Sequence, residues 1–153
     1  MTLTIRQVRP EEIEALIPLL VQAEESEDAL RWGLAHLSDA VYQADDAGAL
    51  VAAATMQWRA DPCEVMELAV IPERQGQGIG RQLIEWLAGE AQARGYSALL
   101  VGTANSSIGN IAFYQKCGFR MDSIRKDYFW YYPAPRYENS IRIRDMLVFR
   151  REL

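Results

Sequence analysis

The 153-residue chain has one histidine, two cysteines and no long apolar run, and each scarcity removes a class of function. His36 has no second imidazole to help it hold a metal and no Ser-His-Asp or Cys-His partner set, so it reads as a half-buried helix residue. Cys63 and Cys117 lie far apart and form neither a CxxC redox pair nor a zinc-ligand cluster, which leaves two buried thiols and no metal site. The longest small-apolar stretch, Ala49 to Met56, is far short of the ~20 residues a membrane helix needs, so no membrane span is expected. The N-terminal Met1-Thr2-Leu3-Thr4-Ile5-Arg6 lacks the basic and apolar regions of a signal peptide, and the expected location is the cytoplasm. Basic residues are also short, 16 against 21 acidic ones for a net charge of -5, which argues against a nucleic-acid partner and suits a cationic or neutral one.

Half the residues are hydrophobic and 24% are charged, the balance of an ordinary globular domain. A chain of this length is expected to form one domain, residues 1–153, around one continuous core that buries roughly 70% of the unfolded surface. Thr2 to Val8 alternates as a first strand, Pro10 opens a helix that Pro18 should kink or shorten, and Ser26 caps a second helix running to about Leu37. Ala40 to Ala44 and Leu50 to Trp58 read as a hairpin across Asp45-Asp46-Ala47-Gly48. Glu64 to Ile71 is the next strand, with Glu64, Met66, Leu68 and Val70 on one face and Val65, Glu67, Ala69 and Ile71 on the other. Arg81 to Arg94 is an amphipathic helix stopped by Gly95, Ala98 to Thr103 a short apolar strand, and Gly109 to Lys116 a helix ended by Gly118. Phe119 to Ile124 and Ile141 to Phe149 complete the order β-α-α-β-β-β-α-β-α-β-β.

The segment Gln75-Gly76-Gln77-Gly78-Ile79-Gly80 lies between an apolar strand and an amphipathic helix, where backbone N–H groups and the positive helix end face an anion. Glycine allows close approach and positive φ there, and a diphosphate is the natural guest. A Walker A loop is absent, because Arg81 and Gln82 follow Gly80 in place of Lys-Ser/Thr. A dinucleotide GxGxxG starting at Gly76 would need glycine where Arg81 stands.

Gln75, Gly78 and Gly80 match the Gln/Arg-x-x-Gly-x-Gly/Ala motif, preceded by Glu67-Leu68-Ala69-Val70 with Pro72-Glu73 and followed by Phe113-Tyr114-Gln115-Lys116-Cys117-Gly118-Phe119. In these blocks the chain resembles the GNAT superfamily of acyl-CoA-dependent N-acyltransferases. The resemblance implies an α/β GNAT fold, a mixed sheet of about seven strands in which the strand ending at Ile71 splays from the strand starting at Ala98, with acetyl-CoA in the gap. It implies a cofactor arm held by Leu68, Ala69 and Val70 and a pyrophosphate on Gln75, Gly76, Gln77, Gly78, Ile79 and Gly80, with Arg81 adding a charge-assisted contact.

Acetyl transfer needs a neutral amine, a polarised thioester and a proton for the departing thiolate. By resemblance Tyr114 is the general-acid candidate, and packing of the last helix is its alternative. Glu64 is the preferred base candidate, because related enzymes often place Glu or His on that face of the strand; Glu67 is the second candidate. Asn105 and Asn110 compete for a polar role against the pantetheine, because Asn105-Ser106-Ser107-Ile108-Gly109-Asn110 is longer than the usual Asn-x-x-Ala; either could instead be a turn residue. Tyr128, Phe129, Trp130, Tyr131, Tyr132 and Tyr137 form either an acceptor wall, completed by Trp32, His36 and Tyr42, or core packing or a homodimer surface. The acceptor expected is a primary amine on a small molecule. A protein N-terminus or lysine, and a CoA-binding module without turnover, are the alternatives.

Overall fold

A computed structural model describes residues 2–24 and 26–153; Met1 and Glu25 lie outside the described residues. Leu3–Gln7 forms β1, paired antiparallel to β2, Ala40–Asp46. Between them, Pro10 opens a 3-10 stretch, Pro10–Leu16, that passes into a single α turn, α1, Ile17–Leu20. Pro18 is the cause: it has no N–H to offer the Glu14 carbonyl, and Ile17 N–H takes that carbonyl in the tighter i to i+3 bond. Helix α2, Glu27–His36, starts where Ser26 Oγ accepts Ala29 N–H at 3.2 Å.

The hairpin of β2 with β3, Ala49–Gln57, turns at Ala47 and Gly48, whose φ values of 51° and 83° give the turn that suits the strands' own twist. Strand β4, Cys63–Val70, follows antiparallel to β3. Helix α3, Ile79–Ala93, stops at Gly95 with φ 89°, and Tyr96 N–H closes onto Ala91 C=O at 3.1 Å. Strand β5, Ala98–Ala104, leads to α4, Ile108–Lys116, which ends the same way at Gly118 with Phe119 N–H on Tyr114 C=O at 3.0 Å. Strand β6 is Arg120–Arg125.

The last expected strand, Ile141 to Phe149, is broken in two. Ile141–Arg142, β8, pairs with Tyr137–Glu138, β7, while β9 is Met146–Glu152. Asn105 Oδ1 accepts the N–H groups of Arg144 and Asp145 at 2.9 and 3.0 Å, so the backbone between β8 and β9 bonds to a side chain in place of a ladder.

The main sheet has seven strands in the order β1-β2-β3-β4-β5-β9-β6, and its one parallel pair among the described residues is β4 with β5. The core is divided by this sheet, where one continuous core was expected. On one face α3 packs Leu83, Ile84 and Leu87 with Val65, Leu99, Val101 and Phe149; on the other, Leu16, Leu20 and Leu30 pack with Val41, Ala53 and Ala69. Both faces carry helices, so central strands have little solvent-facing alternation. Among the described residues no helix is long and apolar enough to cross a membrane.

Because the Ser26 hydroxyl is the side-chain cap of α2, Ser26→Ala should lower stability by about 1 kcal/mol, read as a lower urea midpoint at unchanged m-value.

Candidate active site

β4 and β5 pair only at Cys63 with Leu99, Glu64 with Leu100 and Val65 with Val101. At that point β4 carries an extra residue relative to β3: Met56 pairs with Val65 and Thr55 with Glu67, leaving Met66 as a bulge. A bulge bends its strand and increases its twist, and here β4 leaves β5 from the bulge onward. A cleft of about 630 Å³ opens between the diverging strands. Met66, Glu67, Leu68, Ala69 and Val70 form one wall, Gly102 and Thr103 the other, and Asn110, Phe113 and Tyr114 of α4 close one side.

At one end the glycine loop curls beneath α3. Gly76 and Gly78 hold φ of 76° and 84°, and Gly78 is the residue immediately before the helix. The helix's first bond of this end runs from Gln82 N–H to Gly78 C=O at 3.0 Å, which leaves the N–H groups of Ile79, Gly80 and Arg81 without an intrahelical acceptor. A methyl group at Gly80 would lie 3.1 Å from Phe113 Cζ, so glycine is what lets α3 and α4 meet over the cleft. Gln75 lines the cleft, and its amide donates to Val70 C=O at 3.0 Å, tying the loop to the end of β4. Gln77 does not line it: its side chain accepts from Arg74 Nε at 2.8 Å. Arg74, in the 3-10 turn Pro72–Arg74, also pairs with Asp46 at 2.7 Å and so joins the loop to the β2–β3 hairpin.

The charged residues of the cleft are segregated. Arg74, Arg81 and Lys116 stand at the loop end, and Glu67 stands at the other with Gln22 and Ala23. Free N–H groups, a helix N-terminus and three cations suit a polyanionic, phosphate-bearing ligand, and the volume is that of a ligand pocket. Arg74 and Lys116 were not singled out from the sequence, although Lys116 lies in the Phe113–Phe119 block and a basic residue facing an anion cradle is its only signal.

The two candidate bases have different surroundings. Period-two alternation puts Glu64 and Glu67 on opposite faces of the strand, and the bulge at Met66 overturns that: three residues apart across one extra residue, they share a face. Glu64 is 6% exposed and is held in a two-point ion pair by Arg125, at 2.6 and 3.0 Å, and it does not line the cleft. Glu67 does line it. Its carboxylate accepts a hydrogen bond from Thr55 Oγ1, while Glu67 N–H donates to the same hydroxyl at 3.0 Å. Burial pushes the Glu67 carboxyl up to about 7, outweighing the Thr55 bond, and Glu24 and Glu64 push the same way. A carboxyl with that midpoint can exchange a proton near neutrality.

Tyr114 is 6% exposed, lines the cleft and packs its ring among Phe113, Phe119 and Phe149. Burial pushes its phenol above the ordinary tyrosine value, so it remains a protonated donor through the neutral range. Of the two asparagines, Asn110 lines the cleft and donates to Thr103 Oγ1 at 3.4 Å. Asn105 does not line it, because its amide is spent on the backbone of Arg142, Arg144 and Asp145.

The aromatic segment is not one wall. Trp130 is 82% exposed, whereas Tyr131 and Tyr132 donate their hydroxyls to Glu24 Oε2 and Oε1 at 3.1 and 3.2 Å. Tyr42 is excluded from any acceptor wall: it is buried on the α3 face, bonded to Trp58 Nε1 at 2.9 Å and set edge-on to Trp86. Trp32 is exposed and stacks on His36 at 4.6 Å, and neither lines the cleft.

A sequence profile described as the Acetyltransferase (GNAT) family matches residues 8–119. The chain is 37% identical over 93 residues to the uncharacterized N-acetyltransferase YvbK of Bacillus subtilis, an alignment that covers 60% of each chain. The chain thus spans about three fifths of the length of that curated relative. Among solved structures it is similar to an IAA acetyltransferase from Bacillus cereus, with 34% identity, a TM-score of 0.86 and 99% and 100% of the two chains covered. It is also similar to a GNAT family acetyltransferase from Elizabethkingia anophelis with acetyl-CoA bound, with 32% identity, a TM-score of 0.85 and 99% and 98% covered.

The raised Glu67 carboxyl has a stability consequence. Its native value lies above that of an unfolded glutamate, so the native state carries no penalty below about pH 4.5, a growing one as pH rises from there to about 7, and a constant one above. Glu67→Gln removes the charge, and its melting temperature relative to the parent should climb between about pH 5 and 7 and level off above, when followed by circular dichroism.

Proposed function

The chain belongs to the GNAT acetyltransferase family, and on that premise we propose that it transfers an acetyl group from acetyl-CoA to a primary amine on a small molecule. The observation that carries the reading is the polarity of the cleft: a cation-rich glycine loop at one end and a half-buried carboxyl poised near neutrality at the other, with Tyr114 of α4 lining the same cleft. Acetyl-CoA, when bound, supplies the acyl group activated as a thioester. The free N–H groups of Ile79, Gly80 and Arg81 and the positive end of α3 are the groups that would hold its diphosphate, and the unpaired edge of β4 from Met66 to Val70 would hold the pantetheine amides.

Glu67 is assigned as the base. Its carboxylate takes the proton from the incoming ammonium, directly or through one water, and so delivers a neutral nucleophile. Thr55 keeps one Glu67 oxygen occupied and leaves the other to the acceptor. Glu64 is given a supporting role, because its carboxylate is locked to Arg125 and does not line the cleft. Tyr114 is assigned as the acid that returns a proton to the departing sulfur, and Asn110 as a polar contact in the cleft. The cytoplasm is the location proposed.

Three variants test the assignment. Gly78→Glu forces a side chain onto a φ of 84° and puts a negative charge in the anion cradle, so calorimetry should show no acetyl-CoA binding by the folded variant; parental affinity would exclude the loop. Tyr114→Phe should lower turnover by ~10- to 1000-fold at near-parental acetyl-CoA affinity. In a free-thiol assay the parent's kcat/KM should rise through an inflection near pH 7, and Glu67→Gln should lose both that inflection and at least ~100-fold in rate, whereas an unchanged profile would remove Glu67 as the base.

A further inference from the structure

The inward face of α2 has a gap where it crosses Glu67. Leu30 is fully buried on that face and Leu34 packs half-buried beside it, both in the cluster with Val41, Ala53 and Ala69. One turn on from Leu30 stands Gly33, buried, inside the helix and without a side chain. Among the described residues, its own helix backbone and chain neighbours apart, a Cβ built at Gly33 would have one heavy atom within 4 Å, and that atom is Glu67 Oε1 at 3.7 Å.

Packing does not call for glycine here. A separation of 3.7 Å is ordinary van der Waals contact, and alanine is the best helix former while glycine is among the poorest. What a side chain at Gly33 would alter is the carboxylate. Thr55 occupies Glu67 Oε2, so Oε1 is the oxygen left to a proton-carrying partner, and α2 borders it with bare backbone. A methyl group at that point would cover Oε1 with apolar surface and disfavour the charged form.

The other ionisable groups around Glu67 come from several elements. Glu64 lies on the same strand, its charge answered by Arg125 of β6, while Glu24 belongs to the turn after α1 and Tyr128 to the segment after β6. Of the charges on α2 itself, Glu27 and Asp28 stand in its exposed first turn, Arg31 is bonded to Glu14 and Glu27, and His36 stacks on Trp32.

Resting on the assignment of Glu67 as the base in acetyl transfer, we propose that Gly33 is a positioning residue for that base: it keeps Glu67 Oε1 unshielded, so that the carboxylate can form and take up the proton of the amine, and α2 is a weaker helix for it. Gly33 acts through Glu67 and needs no contact with either substrate.

The test uses the full chain. Gly33→Ala should raise the Glu67 carboxyl midpoint, read by carbon-detected magnetic resonance with no ligand added, by about one pH unit. In the free-thiol assay its kcat/KM for the amine should fall about fivefold at pH 7 and return to within about twofold of the parent at pH 9, with the acetyl-CoA KM within about twofold throughout. Melting should show the reverse of damage: at pH 5 the variant should melt above the parent, an advantage that shrinks by pH 8 and stays constant with pH in a Glu67→Gln background. Gly33→Ser, which brings a hydroxyl donor within reach of Oε1, should give a midpoint below that of Gly33→Ala. An unmoved midpoint in folded Gly33→Ala, a serine midpoint equal to or above the alanine one, or an alanine variant that melts below the parent at pH 5 would each overturn the proposal. A raised midpoint with an unmoved kcat/KM profile would instead overturn Glu67 as the base, and leave the effect of Gly33 on its carboxyl standing.

Discussion

One surplus residue in β4, Met66, shapes the site more than any other single feature of the chain. Up to Val65 the strand pairs on both sides, with β3 and with β5; beyond it the β5 ladder ends and only β3 remains. The bend exposes a strip of backbone N–H and C=O groups in the middle of a sheet, where they would be costly without a partner. A cleft ligand with amide groups would satisfy that strip as a missing strand does. The same surplus residue turns Glu67 onto the face of Glu64, near Glu24 of the turn after α1.

The cleft thereby acquires a direction. Cations gather where α3 and α4 converge on the glycine loop, and a carboxyl pushed up by burial stands at the opposite end. A ligand with phosphates at one end and a reactive acyl group at the other can lie in it only one way round. The neighbouring carboxylate, Glu64, has its charge answered by Arg125, so two glutamates three positions apart have different chemistry because one has a guanidinium partner and the other a hydroxyl.

Much of this was legible in the sequence, where local rules decide. Ser26 as a cap, Gly95 and Gly118 as stops, the Ala47-Gly48 turn and the glycine loop before α3 each follow from one or two residues and stand where they were expected. The seven-strand count and the gap between β4 and β5 came with the family resemblance. What was not legible depends on register or on distant partners. No residue type announces a bulge at Met66, and strict alternation therefore put Glu64 and Glu67 on opposite faces; the preference for Glu64 came with the family resemblance, and it is Glu67 that lines the cleft. Asn105 reads as a site residue until Arg144 and Asp145, some forty positions on, are seen to use its amide. Tyr131 and Tyr132 meet Glu24 across more than a hundred residues, beyond any local pattern.

The base role proposed for Glu67 depends on its carboxyl holding a proton to near neutrality at the cleft. Carbon-detected magnetic resonance of the glutamate carboxyls, assigned by comparison with Glu67→Gln and followed from pH 4 to 9, reads that quantity directly. A Glu67 midpoint close to 7 is the predicted result; a midpoint in the ordinary range for glutamate, about 4.3, would contradict it.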